Sequence, residues 1–265
     1  MPELQLSGAR LYYEDSGGAG PAIVFAHGLL WSTAMWRFQV AAFRDRYRCL
    51  AFDFRGQGRS EVTASGYDME TLTLDTAQLI EKLVAGPVHF AGLSMGGFVG
   101  MRLAARRPEL VKTLALLDTA ADPEPLLNRP KYALLGQLTR LLGTSLLSGE
   151  VMKVMFARSF LEDPARAALR AEQRQQLIGN GLTGSLRATA GVMQRRPVAA
   201  AELSRLRCPT LVISGAEDSA IVPARSRRLQ EQIPGARFVS IPRAGHTSTI
   251  EEPDAVNAAL RELWG

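Results

Sequence analysis

The chain has 265 residues, 46% of them hydrophobic, which is enough apolar material for one well-buried α/β domain plus an insertion and too short for two equal domains. Its formal net charge is +5, but Arg10, Arg37, Arg55, Arg102, Arg140, Arg187 and Arg237 are spread among acidic residues, so a nucleic-acid patch is excluded. No apolar stretch reaches the length of a membrane span, and the start Met1-Pro2-Glu3-Leu4-Gln5 lacks a basic and then apolar leader, so the expected setting is cytoplasmic, without membrane contact.

In chain order, 4–6 and 10–14 alternate apolar and polar around Ser7-Gly8, which predicts an opening antiparallel hairpin. The runs at 22–26, 49–52, 88–91, 113–117, 210–213 and 237–241 are apolar nearly throughout. Strands apolar on both faces belong in a parallel sheet covered by helices on each side. Helical patterns at 69–83, 95–106, 223–232 and 253–263 alternate with them, which predicts an α/β fold with a doubly wound, mostly parallel open sheet. The two cysteines, Cys49 and Cys208, each open an apolar run and read as reduced core residues with no metal spacing.

One interval has no strand. After Asp122-Pro123-Glu124-Pro125, the segments 130–147, 151–160, 164–178 and 182–193 read as successive helices. The core is therefore expected over 1–121 and 201–265, with 122–200 as an all-helical cap, or lid, over the carboxyl edge of the sheet. The stripe Leu134, Leu135, Leu138, Leu141 and Leu142 is expected to be a buried face rather than a substrate wall.

Gly92-Leu93-Ser94-Met95-Gly96 sits between the run 88–91 and the helix 95–106. A serine hydroxyl is a poor nucleophile and must be lifted clear, set beside a base and given oxyanion donors. A sharp strand-to-helix turn does this, and Gly92, Gly96 and Gly97 supply the room that the turn needs. Its partners should lie at other strand ends. His246, in the loop Pro242-Arg243-Ala244-Gly245-His246 before the last helix, is the expected base. His89 is mid-strand and His27 is expected to hold a loop. Asp218, after the strand 210–213, is the expected acid, with Asp118 at the end of 113–117 as its competitor and Glu217 aimed the other way. The amides of Leu29, in His27-Gly28-Leu29, and of Met95 are the expected oxyanion donors. Leu30, Trp31, Met152, Met155 and Phe156 are expected around the opening, with Trp31 either a wall or a packing anchor. The turn Asp53-Phe54-Arg55-Gly56-Gln57-Gly58-Arg59-Ser60 lacks a following Gly-Lys-Ser/Thr and reads as structural rather than phosphate-binding.

Taken in order, His27-Gly28, Asp53-x-Arg55-Gly56-x-Gly58-x-Ser60, Gly92-x-Ser94-x-Gly96-Gly97, Gly215-x-x-Asp218 and Gly245-His246 resemble the α/β-hydrolase superfamily over nearly the whole chain. Leu93-Ser94-Met95-Gly96-Gly97 and the short helical cap resemble the small bacterial carboxylesterases and 3-oxoadipate enol-lactonases. The resemblance implies a serine hydrolase acting on a small-molecule ester or lactone, as a monomer or homodimer, with no metal or organic cofactor. Carbon–carbon bond hydrolases and perhydrolases share the triad and stay open as alternatives, as does a slow-turnover ligand receptor. Relatives that use an elbow aspartate, such as haloalkane dehalogenases, are set aside by Ser94.

Overall fold

A computed structural model describes residues 2–265, excepting the side chains of residues 129, 131 and 142. Its frame is an eight-stranded sheet of β1 (Glu3–Gln5), β2 (Arg10–Asp15), β3 (Ala22–Ala26), β4 (Arg48–Phe52), β5 (Val88–Leu93), β6 (Val111–Leu117), β7 (Thr210–Gly215) and β8 (Arg237–Ile241). The spatial order is β1-β2-β4-β3-β5-β6-β7-β8. β1 and β2 form the antiparallel hairpin, β2 runs antiparallel to β4, and β4 through β8 are parallel. This is the doubly wound sheet of the α/β-hydrolase fold. Every residue of β3, β5 and β7 is buried, as continuous apolar runs require when helices cover both faces.

Successive side chains of a strand point to opposite faces, and the two hydrophobic clusters follow that alternation. Val24, Phe90, Leu114 and Val212 pack with α2 (Met69–Leu83) and α3 (Met95–Arg106). Ile23, Phe25, Ala91, Leu93 and Leu211 pack with α1 (Arg37–Phe43) and α12 (Pro253–Trp264). Each valine, leucine, isoleucine or phenylalanine among them contributes about 1.5–3 kcal/mol when fully buried. Chain order reverses at β3, where β4 pairs on one side and β5 on the other. The carboxyl ends of β3 and β5 therefore flank the crevice in which this architecture collects its functional groups.

Between β6 and β7 the described chain is helical: a 3-10 turn at Leu126–Asn128, then α4 (Arg129–Leu142), α5 (Thr144–Met155), α6 (Arg158–Glu162), α7 (Ala167–Gly179) and α8 (Leu182–Met193). The short α9 (Ala200–Leu203) leads back to the sheet, and α10 (Pro223–Gln232) and α11 (Ser248–Glu251) lie between later elements. Two expected boundaries move. The stretch 130–147 is not one helix, because Gly143 takes φ +83° and separates α4 from α5. The stretch 151–160 breaks at Phe156, which is extended, because the Ala157 N–H donates to Glu251 Oε2 at 2.7 Å rather than back into a helix.

The helical segment sits tightly on the sheet domain. A Cβ at Gly184 would lie 1.7 Å from the Gly56 carbonyl oxygen, and one at Gly191 would lie 2.0 Å from that of Tyr67. α8 thus rests backbone to backbone on the turns after β4, a contact only glycine permits. Met152, Met155, Phe156, Phe160 and Leu177 join the same cluster as Trp31, Trp36 and Phe25.

Candidate active site

Ser94 follows β5 with φ +51° and ψ −107°, a positive φ that is strained for a residue carrying a Cβ. Its neighbours hold it there. The Ser94 N–H donates to Leu117 O on β6 at 2.8 Å, and its carbonyl accepts the Phe98 N–H and the Thr119 hydroxyl at 3.0 and 2.9 Å. A Cβ at Gly96 would stand 2.1 Å from Ala26 O, so the start of α3 is pressed against the end of β3. The elbow read from the sequence has this geometry.

Ser94 Oγ lies 2.9 Å from His246 Nε2, and His246 Nδ1 lies 2.8 Å from Asp218 Oδ2. The residues come from three strand ends and all are buried. A carboxylate beside Nδ1 assigns the proton to that nitrogen and leaves the Nε2 lone pair for the serine hydroxyl. The other Asp218 oxygen accepts the N–H groups of Ala220 and Ile221 at 2.8 and 2.9 Å. Burial works against an imidazolium at His246, but the charge and hydrogen bond of Asp218, with Asp118 and Glu251 behind it, hold the histidine above its ordinary value.

Asp118 does not touch the histidine. Its Oδ1 accepts the Gly215 N–H at 2.7 Å and its Oδ2 accepts the Ser248 hydroxyl, tying β6 to β7 and to α11. Burial, with Asp218 close by, pushes its carboxyl far above the ordinary range. Glu217 points away to Ser159, whose N–H and hydroxyl donate to it at 3.1 and 2.7 Å.

Met95 opens α3, where the first N–H groups lack helical acceptors. Among the described residues neither its N–H nor that of Leu29 finds a backbone acceptor. The loop carrying Leu29 is held from several sides. His27 Nε2 accepts the Phe54 N–H at 3.0 Å, which leaves Nδ1 to donate to Gly28 O at 2.6 Å. Burial pushes His27 down to about 4, so it stays a neutral brace. The Leu30 N–H donates to Gln57 Oε1 at 2.7 Å, and Asn180, just past α7, donates to Leu30 O. Gln57 and Asn180 were not singled out in the sequence. Gln57 lies in the turn read as structural, and Asn180 had only its place after a helix to mark it. His89 pairs instead with the Thr113 hydroxyl at 2.8 Å inside the sheet.

A cavity of about 160 Å³ opens onto Ser94 and His246. Its walls are Leu29, Leu30, Phe98, Leu135, Val151, Val154, Met155, Leu182, Leu186 and Val192, with the hydroxyls of Thr139, Ser148 and Thr189 between them. Of the five expected pocket residues, Leu30 and Met155 line it. Trp31, Met152 and Phe156 do not and are corrected to core residues: Trp31 is 1% exposed and packs edge-on against Phe156. Trp31 was expected there from its place beside Leu29, and Met152 and Phe156 from their apolar character in the helical segment, but large apolar side chains where that segment meets the sheet are drawn into the shared core. The leucine stripe is also corrected. Leu135 is a cavity wall, while Leu134 and Leu141 are exposed; the Leu142 side chain lies outside the described residues. Among the described residues one charged pair reaches the cavity, Arg195 with Glu124 at 3.5 Å, the guanidinium stacked 4.1 Å over Phe98. Burial lowers Arg195 to about 10 although Glu124 opposes that.

Glu251, which the sequence reading passed over, braces the histidine loop. It accepts the N–H groups of Gly245 and Thr247, on either side of His246, at 3.0 and 3.1 Å, as well as that of Ala157. Its position four residues past Thr247 on a short helix was the only available signal. Burial pushes its carboxyl up to about 7 despite these three N–H donors and the Thr247 hydroxyl at 3.0 Å.

A family model described as the alpha/beta hydrolase fold matches residues 21–253. The chain is 29% identical to 3-oxoadipate enol-lactonase 2 of Acinetobacter baylyi over 255 residues, 96% of this chain and 92% of that protein. The enol-lactonase structure from Burkholderia xenovorans LB400 superposes with a TM-score of 0.90 at 31% identity, covering 99% of both chains. A thermophilic esterase from Thermogutta terrifontis superposes with a TM-score of 0.90 at 28% identity over 99% of this chain and 97% of its own.

Proposed function

Because the chain belongs to the α/β-hydrolase fold family, we propose that it is a serine hydrolase cleaving carboxylic esters or lactones of small to medium apolar substrates through an acyl-enzyme. The observation that carries this reading is the unbroken relay from Asp218 to His246 to Ser94, at 2.8 and 2.9 Å, opening onto an apolar cavity. In this reading His246 takes the Ser94 proton as the oxygen attacks the carbonyl, and Asp218 keeps the imidazole in the required tautomer and steadies its charge. The N–H groups of Leu29 and Met95 receive the oxyanion; losing one such donor costs about 10²–10³ in rate. His246 then returns the proton to the leaving alcohol, and water repeats the sequence on the acyl-enzyme. The lactonase and esterase names of the similar proteins support this bond type.

The test is steady-state turnover of p-nitrophenyl esters of increasing acyl length beside a panel of lactones. Wild type is expected to turn over repeatedly, and Ser94→Ala, with its fold checked by circular dichroism, is expected to be inactive. Retained turnover in Ser94→Ala, or a single burst without turnover in wild type, would overturn the proposal.

A further inference from the structure

Helix α4 is apolar on two sides. Leu135 and Gly136 face the cavity above Ser94, whereas Leu134 and Leu141 are 61% and 77% exposed, and Leu127, in the turn before the helix, is 92% exposed. Leu134 and Leu141 are seven residues apart, close to two helical turns, which aligns them on one side of α4. Leu126 and Leu146 on the flanking elements are also exposed, so of eight exposed large hydrophobic residues among the described residues, five fall between 126 and 146. Singly exposed leucines need no explanation, but a cluster of this kind marks an interaction surface.

The charge of the segment decides what would cover it. Residues 125–149 contain Arg129, Lys131 and Arg140 and no aspartate or glutamate. A second copy of the chain would bring a like-charged helix against this one, whereas an anionic surface complements it. Leucines on one side of a basic helix match an interfacial lipid anchor.

We propose that the outer side of α4 and its flanking turns docks on an anionic lipid surface. The expectation of no membrane contact rested on the lack of a spanning stretch. No helix among the described residues is long and apolar enough to cross a membrane, and lying on a lipid face requires none. The surface sets the cavity beside the lipid: the inner side of the docking helix is a wall of the Ser94 chamber, so apolar esters concentrated in the lipid stand next to it. That delivery step rests on the ester-hydrolase reading; the docking itself does not.

The experiment is co-sedimentation of the full chain with phosphatidylcholine vesicles, with and without phosphatidylglycerol. Binding is expected with the anionic vesicles and about tenfold weaker with neutral ones or in high salt. The variant carrying Leu127→Gln, Leu134→Gln and Leu141→Gln, which keeps helix-forming side chains, is expected to lose vesicle binding while turning over a water-soluble short-chain ester as wild type does. Ser94→Ala is expected to sediment as wild type does, which separates docking from catalysis. No binding to anionic vesicles, equal binding by the triple variant, or self-association through these leucines in place of vesicle binding would overturn the proposal.

Discussion

The Glu251 carboxylate accepts the backbone N–H of Ala157 at 2.7 Å, so the short helix after the His246 loop is fastened to the point where the helical segment breaks direction. The same carboxylate holds the N–H groups on either side of His246. The fastening of the helical segment and the placement of the proposed base thus share one buried group.

Glu251→Gln must set an NH₂ group against N–H donors and leave at least one of them unpaired, a loss of about 1–3 kcal/mol for a buried donor. Glu251 sits near 7 in the folded chain against an ordinary 4.5. A value raised by folding means its contribution is fully present below about 4.5 and is lost as pH rises through about 7. The stability gap between wild type and the variant is therefore expected to be widest at acid pH and to narrow toward pH 8. Urea unfolding at the two ends of that range checks the sign, and a gap that widens with pH would refute it.

The two aspartates should part by orders of magnitude. Asp218→Asn keeps the shape but presents an amide to His246 Nδ1, and about 10⁴ in kcat is expected to be lost. Asp118→Asn replaces a carboxyl already held toward its neutral form, and its amide oxygen can still accept the Gly215 N–H. A loss of less than about tenfold is expected, since no hydrogen bond to the histidine is removed. Single-turnover kinetics on one ester would decide, and a larger loss at 118 would reverse the assignment.

His246 works as a base only when neutral, and its value is held above the ordinary 6.5. The acid limb of kcat/KM is therefore expected above pH 6.5, with activity falling as pH drops through it. Glu251 is among the anions that raise His246, so the limb should move to lower pH in Glu251→Gln. A pH–rate profile of both proteins measures this, and an unmoved limb would remove Glu251 from the electrostatics of the site.

Gly184→Ala places a methyl 1.7 Å from the Gly56 carbonyl oxygen, so α8 must lift from the turn beneath it. Overpacking of this kind costs about 1–3 kcal/mol. Because α8 contributes Ser185, Leu186 and Thr189 to the cavity, KM for longer acyl chains is expected to rise with kcat for a short ester retained. Unchanged Tm and KM would mean that the contact is not needed.

The sheet and the elbow were legible in the chain because their signals are local. Runs apolar on both faces mark covered parallel strands, and Gly92, Gly96 and Gly97 mark a turn that a side chain would block. Ser94, Asp218 and His246 could be named because each ends a strand, and strand ends meet at one edge. Tertiary structure alone decided which carboxylate faces the histidine, since Asp118 and Asp218 end adjacent strands and differ only in where their oxygens point. It also decided the cavity wall: Trp31, Met152 and Phe156 carry the same apolar character as Leu135 or Val151, and burial in the shared core rather than at the chamber depends on how helices meet. Glu251, Gln57 and Asn180 were hidden for the same reason, because a side chain that braces a distant backbone amide leaves no periodic trace in its own segment.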